Sequence, residues 1–472
     1  MKYYLLFIAL FLNSCASRKA ITPDEIINIP IPSDWEINIS NNLQNENWWN
    51  EFNDPILDNF LNDFIENNIN IEKAMLNTRK AKQGAVISRG SLFPTISGTS
   101  SGSKSEQNTA GFPPMFSTLF GQSSEDISVF TQENFNLSLG TQWEIDIWGK
   151  LRQDRLASKQ QYLSTKYYED FLRLSLTAEA TKLYFSIIEA DKILIHSAQK
   201  LANAETIFSL YSLRYKKGSI SFEAYQQSEI LFNATKSDFQ NKRLAINALK
   251  REAQFLILNY PNEDFKHKDN FPSAIPNLPL LIPADIIKRR PDLVAQQYNL
   301  LASKALDRKA LLTLLPSFSL TGSFGSSSND LKDLVDEDFT VWSNGLNIFL
   351  PIFNGGKLIA NKKIASTNKE IAMLDFVGSL LNAYKEVENA IESDKIANEA
   401  LLIANTNVSL ATSIYNTTFE KFSKGASSFE DAINANNALN NSLDFKARAE
   451  KVRLEQRINL ILALGGGFKY KK

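Results

Sequence analysis

Several features are scarce in this chain, and each scarcity removes a class of answer. No run of 18 or more apolar residues occurs, so no segment is apolar enough to span a bilayer as a helix. There is one cysteine, Cys15, which forbids an intrachain disulfide. There are two histidines, His196 and His267, so a zinc site would rest on carboxylates, a donor set zinc rarely uses. No metal or other cofactor is expected. The formal net charge is −1 over 472 residues and no long basic run appears, which argues against nucleic acid as a partner. The pattern Gly98-Thr99-Ser100-Ser101-Gly102 fits a hydrolase nucleophile elbow, but it sits in a Ser/Gly strand with both histidines far away in sequence, so no catalysis is expected.

Residues 1–15 read as a targeting segment. Lys2 precedes an apolar core, Tyr3 to Leu12, and then Leu12-Asn13-Ser14-Cys15. This ending resembles a bacterial lipobox, which implies lipidation of Cys15. Ala16 and Ser17 follow in place of Asp, which by the rule for such lipoproteins favours the outer membrane. Several acyl chains on one anchor give stable attachment.

Proline and glycine are also nearly missing from four long stretches. Leu151–Lys217, Ser219–Tyr260 and Ala426–Leu464 contain neither, and Leu358–Lys424 contains only Gly378. Proline costs a helix interior about 3 kcal/mol or more, so its absence over such lengths predicts four very long helices. They form two hairpins that turn at Gly218 and Gly425, where glycine reaches positive φ cheaply. Sixty-seven residues of helix span on the order of 100 Å.

The two hairpins are copies of one unit. Gly149-Lys150-Leu151 recurs 207 positions on as Gly356-Lys357-Leu358, and Gly218 recurs as Gly425. Phe93-Pro94-Thr95 recurs as Leu315-Pro316-Ser317. Each copy carries an apolar stripe in alternating steps of four and three. Leu176, Ala180, Leu183, Ile187, Ala190 and Leu194 begin the first; Ala383, Val387, Ala390, Asp394, Ala397 and Leu401 begin the second. Such a period imposes coiled-coil packing. A second row, Phe171, Leu174, Ala178, Phe185, Ile188 and Ile195, gives the helix a neighbour on each side. A plain antiparallel bundle with a dry core is the alternative on the helices alone.

Between the helices the period becomes two. Phe135, Leu137, Leu139, Thr141, Trp143, Ile145 and Ile147 alternate with polar residues and Gly140, and Trp342, Asn344, Leu346, Ile348, Leu350 and Ile352 alternate with Ser343, Gly345 and Asn347. Phe318, Leu320, Gly322 and Phe324 give a third strand; Thr95–Ser103 is a weak fourth, held by the repeat. The expected belt is Phe135, Leu137, Leu139, Trp143, Ile145, Leu346, Ile348 and Leu350, long enough for tilted membrane strands. Polar loops at about 104–126 and 326–340 join the strands. Four strands cannot close a barrel, and lipid tolerates no open edge, so several chains must pool strands or the strands are soluble. Two chains give eight strands and three give twelve.

Four segments then resemble the TolC-like outer-membrane efflux proteins, specifically the NodT-type lipoprotein branch serving RND-type pumps. They are Trp48-Trp49 with Phe52 and Asp54-Pro55; Trp143 to Lys150, with Trp143 where Tyr is usual; Pro283-Ala284-Asp285 with Arg289-Arg290-Pro291-Asp292-Leu293; and Ala463 to Phe468, with Phe468 in place of Trp. The resemblance covers nearly the whole mature chain. It implies a mixed α and β membrane protein, a homotrimer whose twelve-stranded β-barrel, four strands per chain, continues into a long α-helical coiled-coil barrel. Its parts are a signal peptide (1–15), an N-terminal and equatorial helical segment (16–92), a first β-hairpin (93–148), a first helical hairpin (149–260), a linker and helix (261–313), a second β-hairpin (314–353), a second helical hairpin (354–464) and a tail (465–472).

The implied role is a passive exit duct for small toxic compounds, meeting a periplasmic adaptor and an inner-membrane pump. Metal ions or proteins are alternative cargoes, and a lipid-anchored coiled-coil spacer is the alternative of another class. The resemblance places a gate at the hairpin tips: Phe422, Ser427, Glu430 and Asp431 on the second, Tyr215, Lys217 and Glu223 on the first. Ringed carboxylates there would favour cations and have raised pKa values. Ser427 and Asn434 stand where the family often has Arg and Asp, so a salt-bridge lock of that kind is not expected. Asp285, Arg289, Arg290 and Asp292 are read as a clamp on a helix beginning near Pro283, with Pro291 as a kink or break, and His196 as a helix-surface residue.

Overall fold

The structure is a computed structural model that describes residues 47–108, 129–276 and 289–466. Cys15, the leader, Asp285 and Phe468 lie outside these residues. The chain divides into two compact units.

The first unit holds residues 1–78, 164–297 and 373–472. A 3-10 turn, Trp48–Phe52, leads into α1 (Pro55–Asn67) and α2 (Ile69–Gly90). Asp54 caps α1 by accepting from the amides of Ile56 and Leu57, and it takes a third hydrogen bond from the Tyr184 hydroxyl at 2.9 Å. Trp48, Phe52, Leu57, Phe60, Leu61 and Phe64 pack on Tyr184, Phe185, Ile187 and Ile188 in the main core. The opening aromatic segment is therefore core.

The long helices are α3 (Lys150–Lys216), α4 (Phe222–Leu256), α6 (Lys357–Ser423) and α7 (Phe429–Ala463), with α5 (Pro291–Leu312) between the copies. Every named stripe residue is buried or half-buried; in the second row Ile195 is exposed on the single chain. The second copy's stripe meets Leu293, Leu460 and Leu464 in a second core. Asp394, the charged stripe residue, is buried because Arg457 grips it with two hydrogen bonds, at 2.9 and 2.8 Å. Pro291 marks the expected break: Arg289 is helical, Arg290 is not, and a new helix starts at Pro291. It is the first residue of α5, where its missing amide costs nothing. Arg290 just before it is buried, bonded twice to Asp292 and once to Glu386, so two of the four expected clamp residues meet here, with Glu386 of α6 as the added partner, while the helix expected near Pro283 lies outside the described residues.

The second unit holds residues 79–163 and 298–372. Its strands β1 (Thr95–Asn108), β2 (Val129–Ile145), β3 (Ser317–Ser328) and β4 (Thr340–Phe349) form one antiparallel sheet in the order β1-β2-β3-β4. β1 continues beyond Ser103 to Asn108, so Lys104 lies in the strand, 2.8 Å from Glu133, and not in a loop. β2 stops at Ile145 rather than Ile147, because the Asp146 carboxylate accepts from the amides of Leu151 and Arg152 and starts α3. β4 stops at Phe349, so Leu350 and Ile352 of the expected alternation lie past the strand, where Pro351 has no amide to donate.

Candidate functional site at the hairpin tips and the sheet face

Both helix turns are built the same way. Gly218 has φ +68° and Gly425 has φ +77°. At each, the glycine amide reaches back three residues and the next amide five: Gly218 to Tyr215 and Ser219 to Arg214, Gly425 to Phe422 and Ala426 to Lys421, all at 2.8–2.9 Å. This is the Schellman closure, which satisfies carbonyls the helix end would strand. Ser221 and Ser428 then cap the returning helices.

The expected gate residues fall into distinct roles. Tyr215 stacks on Tyr225 at 5.2 Å and Phe422 meets Phe429 at 5.3 Å, so these aromatics fill their own hairpin tips. Asp431 completes a capping box with Ser428 and also accepts from the Ser427 hydroxyl. Those bonds, the Ser428 hydroxyl first, hold its carboxyl below the usual aspartate range. Glu223 is likewise held low, by its own backbone amide and then by Ser221. In the single chain both shifts run opposite to the rise expected from a carboxylate ring. Lys217 is exposed.

Glu430 does something else. Its Oε1 accepts from Arg214 Nη1 of the first tip at 2.8 Å, so an ion pair ties the two hairpins together. The Arg214 guanidinium also lies 6.0 Å over the Tyr211 ring. Burial, and then the charge of Glu430, push the Tyr211 phenol up. A salt bridge is therefore present at the tips, with its arginine on the first hairpin rather than at the Ser427 position. Sequence reasoning missed Arg214 because nothing local marks which hairpin supplies the partner. His196 also has a partner: Nδ1 lies 2.8 Å from Asp444, which Lys200 reaches at 2.6 Å, so it is half-buried at a helix contact. Burial pushes the Asp444 carboxyl up, but His196 and Lys200 outweigh it and hold it below the ordinary range.

The sheet register sorts the second set of residues. Leu139 faces Gly98 on one side and Phe324 on the other; Trp143 faces Leu320, which faces Leu346; Ile145 faces Phe318, which faces Ile348; and Phe324 faces Trp342. Directly opposed residues share a face. The expected belt residues within the strands thus lie on one face of one sheet, with Leu137, Leu139, Leu346 and Ile348 half or more exposed. The other face carries Ser97, Ser138, Gln142, Thr321, Ser323, Ser343 and Asn347, with the apolar Val341 and Phe349 toward the two ends of β4. Among the described residues the outer edges of β1 and β4 have no strand partner. An exposed apolar face opposite a polar one is the arrangement of a sheet between lipid and water.

Comparison with known proteins agrees. A family model for outer membrane efflux proteins matches residues 60–249 and 282–466. The cation efflux system protein CusC of Escherichia coli O6:H1 is 24% identical over 479 residues, covering 98% of each chain. The solvent efflux pump outer membrane protein SrpC of Pseudomonas putida is 26% identical over 423 residues, covering 88% of this chain and 86% of its own. In fold, the chain superposes on the crystal structure of the Campylobacter jejuni CmeC outer membrane channel with a TM-score of 0.80, at 24% identity over 94% of this chain and 95% of that one. The chain belongs to the outer membrane efflux protein family and is an efflux channel component of the outer membrane.

Proposed function

We propose that three copies pool their sheets into a twelve-stranded barrel, and that the long helices continue the duct toward an adaptor and an inner-membrane pump. The observation that carries this reading is the sheet with one apolar exposed face and, among the described residues, two unpaired edges, which is stable in lipid only when other copies supply the missing strands. In this reading, residues 93–148 and 314–353 supply the barrel, 149–260 and 354–464 supply the tube, and Cys15 carries the lipid anchor. The tips at Gly218 and Gly425 form the gate, with Arg214–Glu430 as a latch that adaptor docking releases. The duct is passive, with an RND-type pump as the source of energy.

Small toxic compounds are the proposed cargo, supported by similarity to a solvent efflux protein; similarity to a cation efflux protein supports metal ions as the second reading. The test is tolerance of a deletion strain to dyes, detergents, antibiotics, solvents and metals. Complementation would use the wild type or Trp143→Asp, which places a charge on the apolar face. Sensitivity to organic compounds, restored by the wild type alone, supports the first reading, and sensitivity confined to metals supports the second. No sensitivity in a strain shown to express the protein and to hold no related duct would overturn both.

A further inference from the structure

The second unit holds a cavity of about 410 Å³ that the duct reading does not use. It lies where β2 passes into α3 and β4 into α6, and its volume suits a small organic molecule. The strand register sets the side on which it opens. Glu144 is opposite Ser319, which is opposite Asn347, and Ser317 is opposite Phe349. Glu144, Ser317 and Phe349, all in the cavity wall, therefore belong to the polar face of the sheet. In the barrel proposed above that face is the lumen. Leu312, Leu315 and Phe349 make much of the wall apolar, and Trp148 adds an aromatic surface, fixed by the hydrogen bond it donates to the Pro316 carbonyl at 2.8 Å.

The internal repeat shows what this cavity lacks. In the first copy three carboxylates are in use. Glu144 pairs with Lys150, Asp146 accepts from the amides of Leu151 and Arg152 and from the Arg152 side chain, and Asp154 pairs with Lys309. Lys150 recurs 207 positions on as Lys357, but Glu144, Asp146 and Asp154 recur as Pro351, Phe353 and Asn361, none of them acidic. The local turn is kept, with Gly149 at φ +86° and Gly356 at φ +81°, so Lys357 begins α6 as Lys150 begins α3. Among the described residues no carboxylate pairs with Lys357. Lys357 and Asn361 both line the cavity, whose own acids, Glu144 and Asp146, are already taken. The wall thus holds one cation without a counter-ion, beside a side-chain amide donor and an apolar surface. The first copy holds a carboxylate at the matching place.

We infer that this cavity is a cargo site for an organic anion with an apolar body, a carboxylate or sulfonate, its charged group on Lys357 and Asn361 and its body against Leu315, Phe349 and Trp148. A charge-assisted hydrogen bond to the ammonium fixes the head, and burial of the body on the apolar wall adds the hydrophobic part. A cation of the same shape meets Lys357 with like charge and gains no such bond. The occupant enters from the lumen rather than from the bilayer, because the cavity opens on the polar face. This inference rests on the organic-cargo reading above and narrows its chemical class.

The test uses the full chain in lipid nanodiscs, titrated calorimetrically with naphthalenesulfonate, with empty nanodiscs as the blank. Binding is expected to saturate at one sulfonate per chain, whereas naphthylmethylammonium, the same ring system with the opposite charge, should show no saturable binding. Lys357→Gln should bind the sulfonate about tenfold more weakly or worse, the loss of one hydrogen bond to a charged group. Lys357→Arg should keep the affinity. Pro351→Glu restores the first copy's carboxylate beside the lysine and should bind as poorly as Lys357→Gln. No saturable binding to the wild type, equal binding of the ammonium, or an affinity unchanged in both Lys357→Gln and Pro351→Glu overturns the site. A wild type that fails to bind the sulfonate yet restores tolerance to organic compounds in the deletion strain loses the cavity and keeps the duct. A deletion strain with no sensitivity removes the cargo reading itself, and the cavity's role with it.

Discussion

Removing the Arg214 side chain is expected to open the duct. The Arg214–Glu430 pair is 2.8 Å long with side chains 42% and 29% exposed, so solvent screening keeps its worth small. An ion pair of that exposure contributes about 0.5–1 kcal/mol. In the proposed trimer three such latches would release together, about 1.5–3 kcal/mol in all, which changes the closed-to-open ratio roughly 10- to 150-fold. Arg214→Ala should therefore raise the open-to-closed ratio in a planar bilayer by about that factor, and Glu430→Gln should do nearly the same. The double variant should add little, because both singles remove one interaction. Raising ionic strength should shift the wild type in the same direction. Open-to-closed ratios of both single variants within twofold of the wild type would refute the latch, whatever the conductance.

Other consequences follow from the same geometry. Tyr184→Phe removes the hydroxyl that bonds the fully buried Asp54 and accepts from the Lys268 amide; it should cost about 1.5–3 kcal/mol in guanidinium denaturation, the worth of a hydrogen bond to a charged group. Gly425→Ala meets no neighbour, yet at φ +77° it should cost about 1–2 kcal/mol, and Gly425→Asn less, measured the same way. Leu139→Arg on the apolar face should cost about 2–4 kcal/mol near mid-membrane and lower the amount assembled in the outer membrane, whereas Ser138→Arg on the polar face should assemble and change only ion selectivity. The Asp431 carboxyl is held low, so its capping contribution is complete above the unfolded aspartate value of about 3.9 and is lost as pH falls through the lower folded value. Amide exchange at Phe429–Ala432, corrected for its intrinsic pH dependence, should lose protection at low pH in the wild type, and Asp431→Asn should remove that dependence.

The long helices were legible because proline and glycine are excluded from long helix interiors and admitted at their ends: α3 and α6 each end two positions before Gly218 and Gly425. β2 was legible because its alternation runs long, and β1 only through the repeat, since Ser and Gly carry no amphipathic signal. In the structure the repeat reaches further upstream, for α2 and α5 are both 22 residues long and lead into β1 and β3. Strand ends were misplaced where a side chain intervened, as Asp146 does after Ile145. The tip ion pair was not legible, because Arg214 and Glu430 lie on different hairpins and neither sits at the expected arginine position. Asp431 was read as a gate carboxylate, although its spacing three residues after Ser428 also spells a capping box. His196 was read as a surface residue because its partner lies 248 positions away.

The most direct test of the account asks whether the apolar sheet face touches lipid. Trp342 is 71% exposed on that face and Trp143 lies on it two strands away, whereas Trp48 and Trp49 are buried in the helical core. The full protein would be reconstituted in bilayers of brominated lipid, which quenches tryptophan fluorescence on contact. The account predicts strong quenching in the wild type and loss of most of it in Trp143→Phe/Trp342→Phe. With Trp35 and Trp148 replaced by Phe throughout, so that only the buried Trp48 and Trp49 accompany the pair, quenching left unchanged by Trp143→Phe/Trp342→Phe in folded protein would show that this face does not meet the membrane, and the pooled barrel would fall with it.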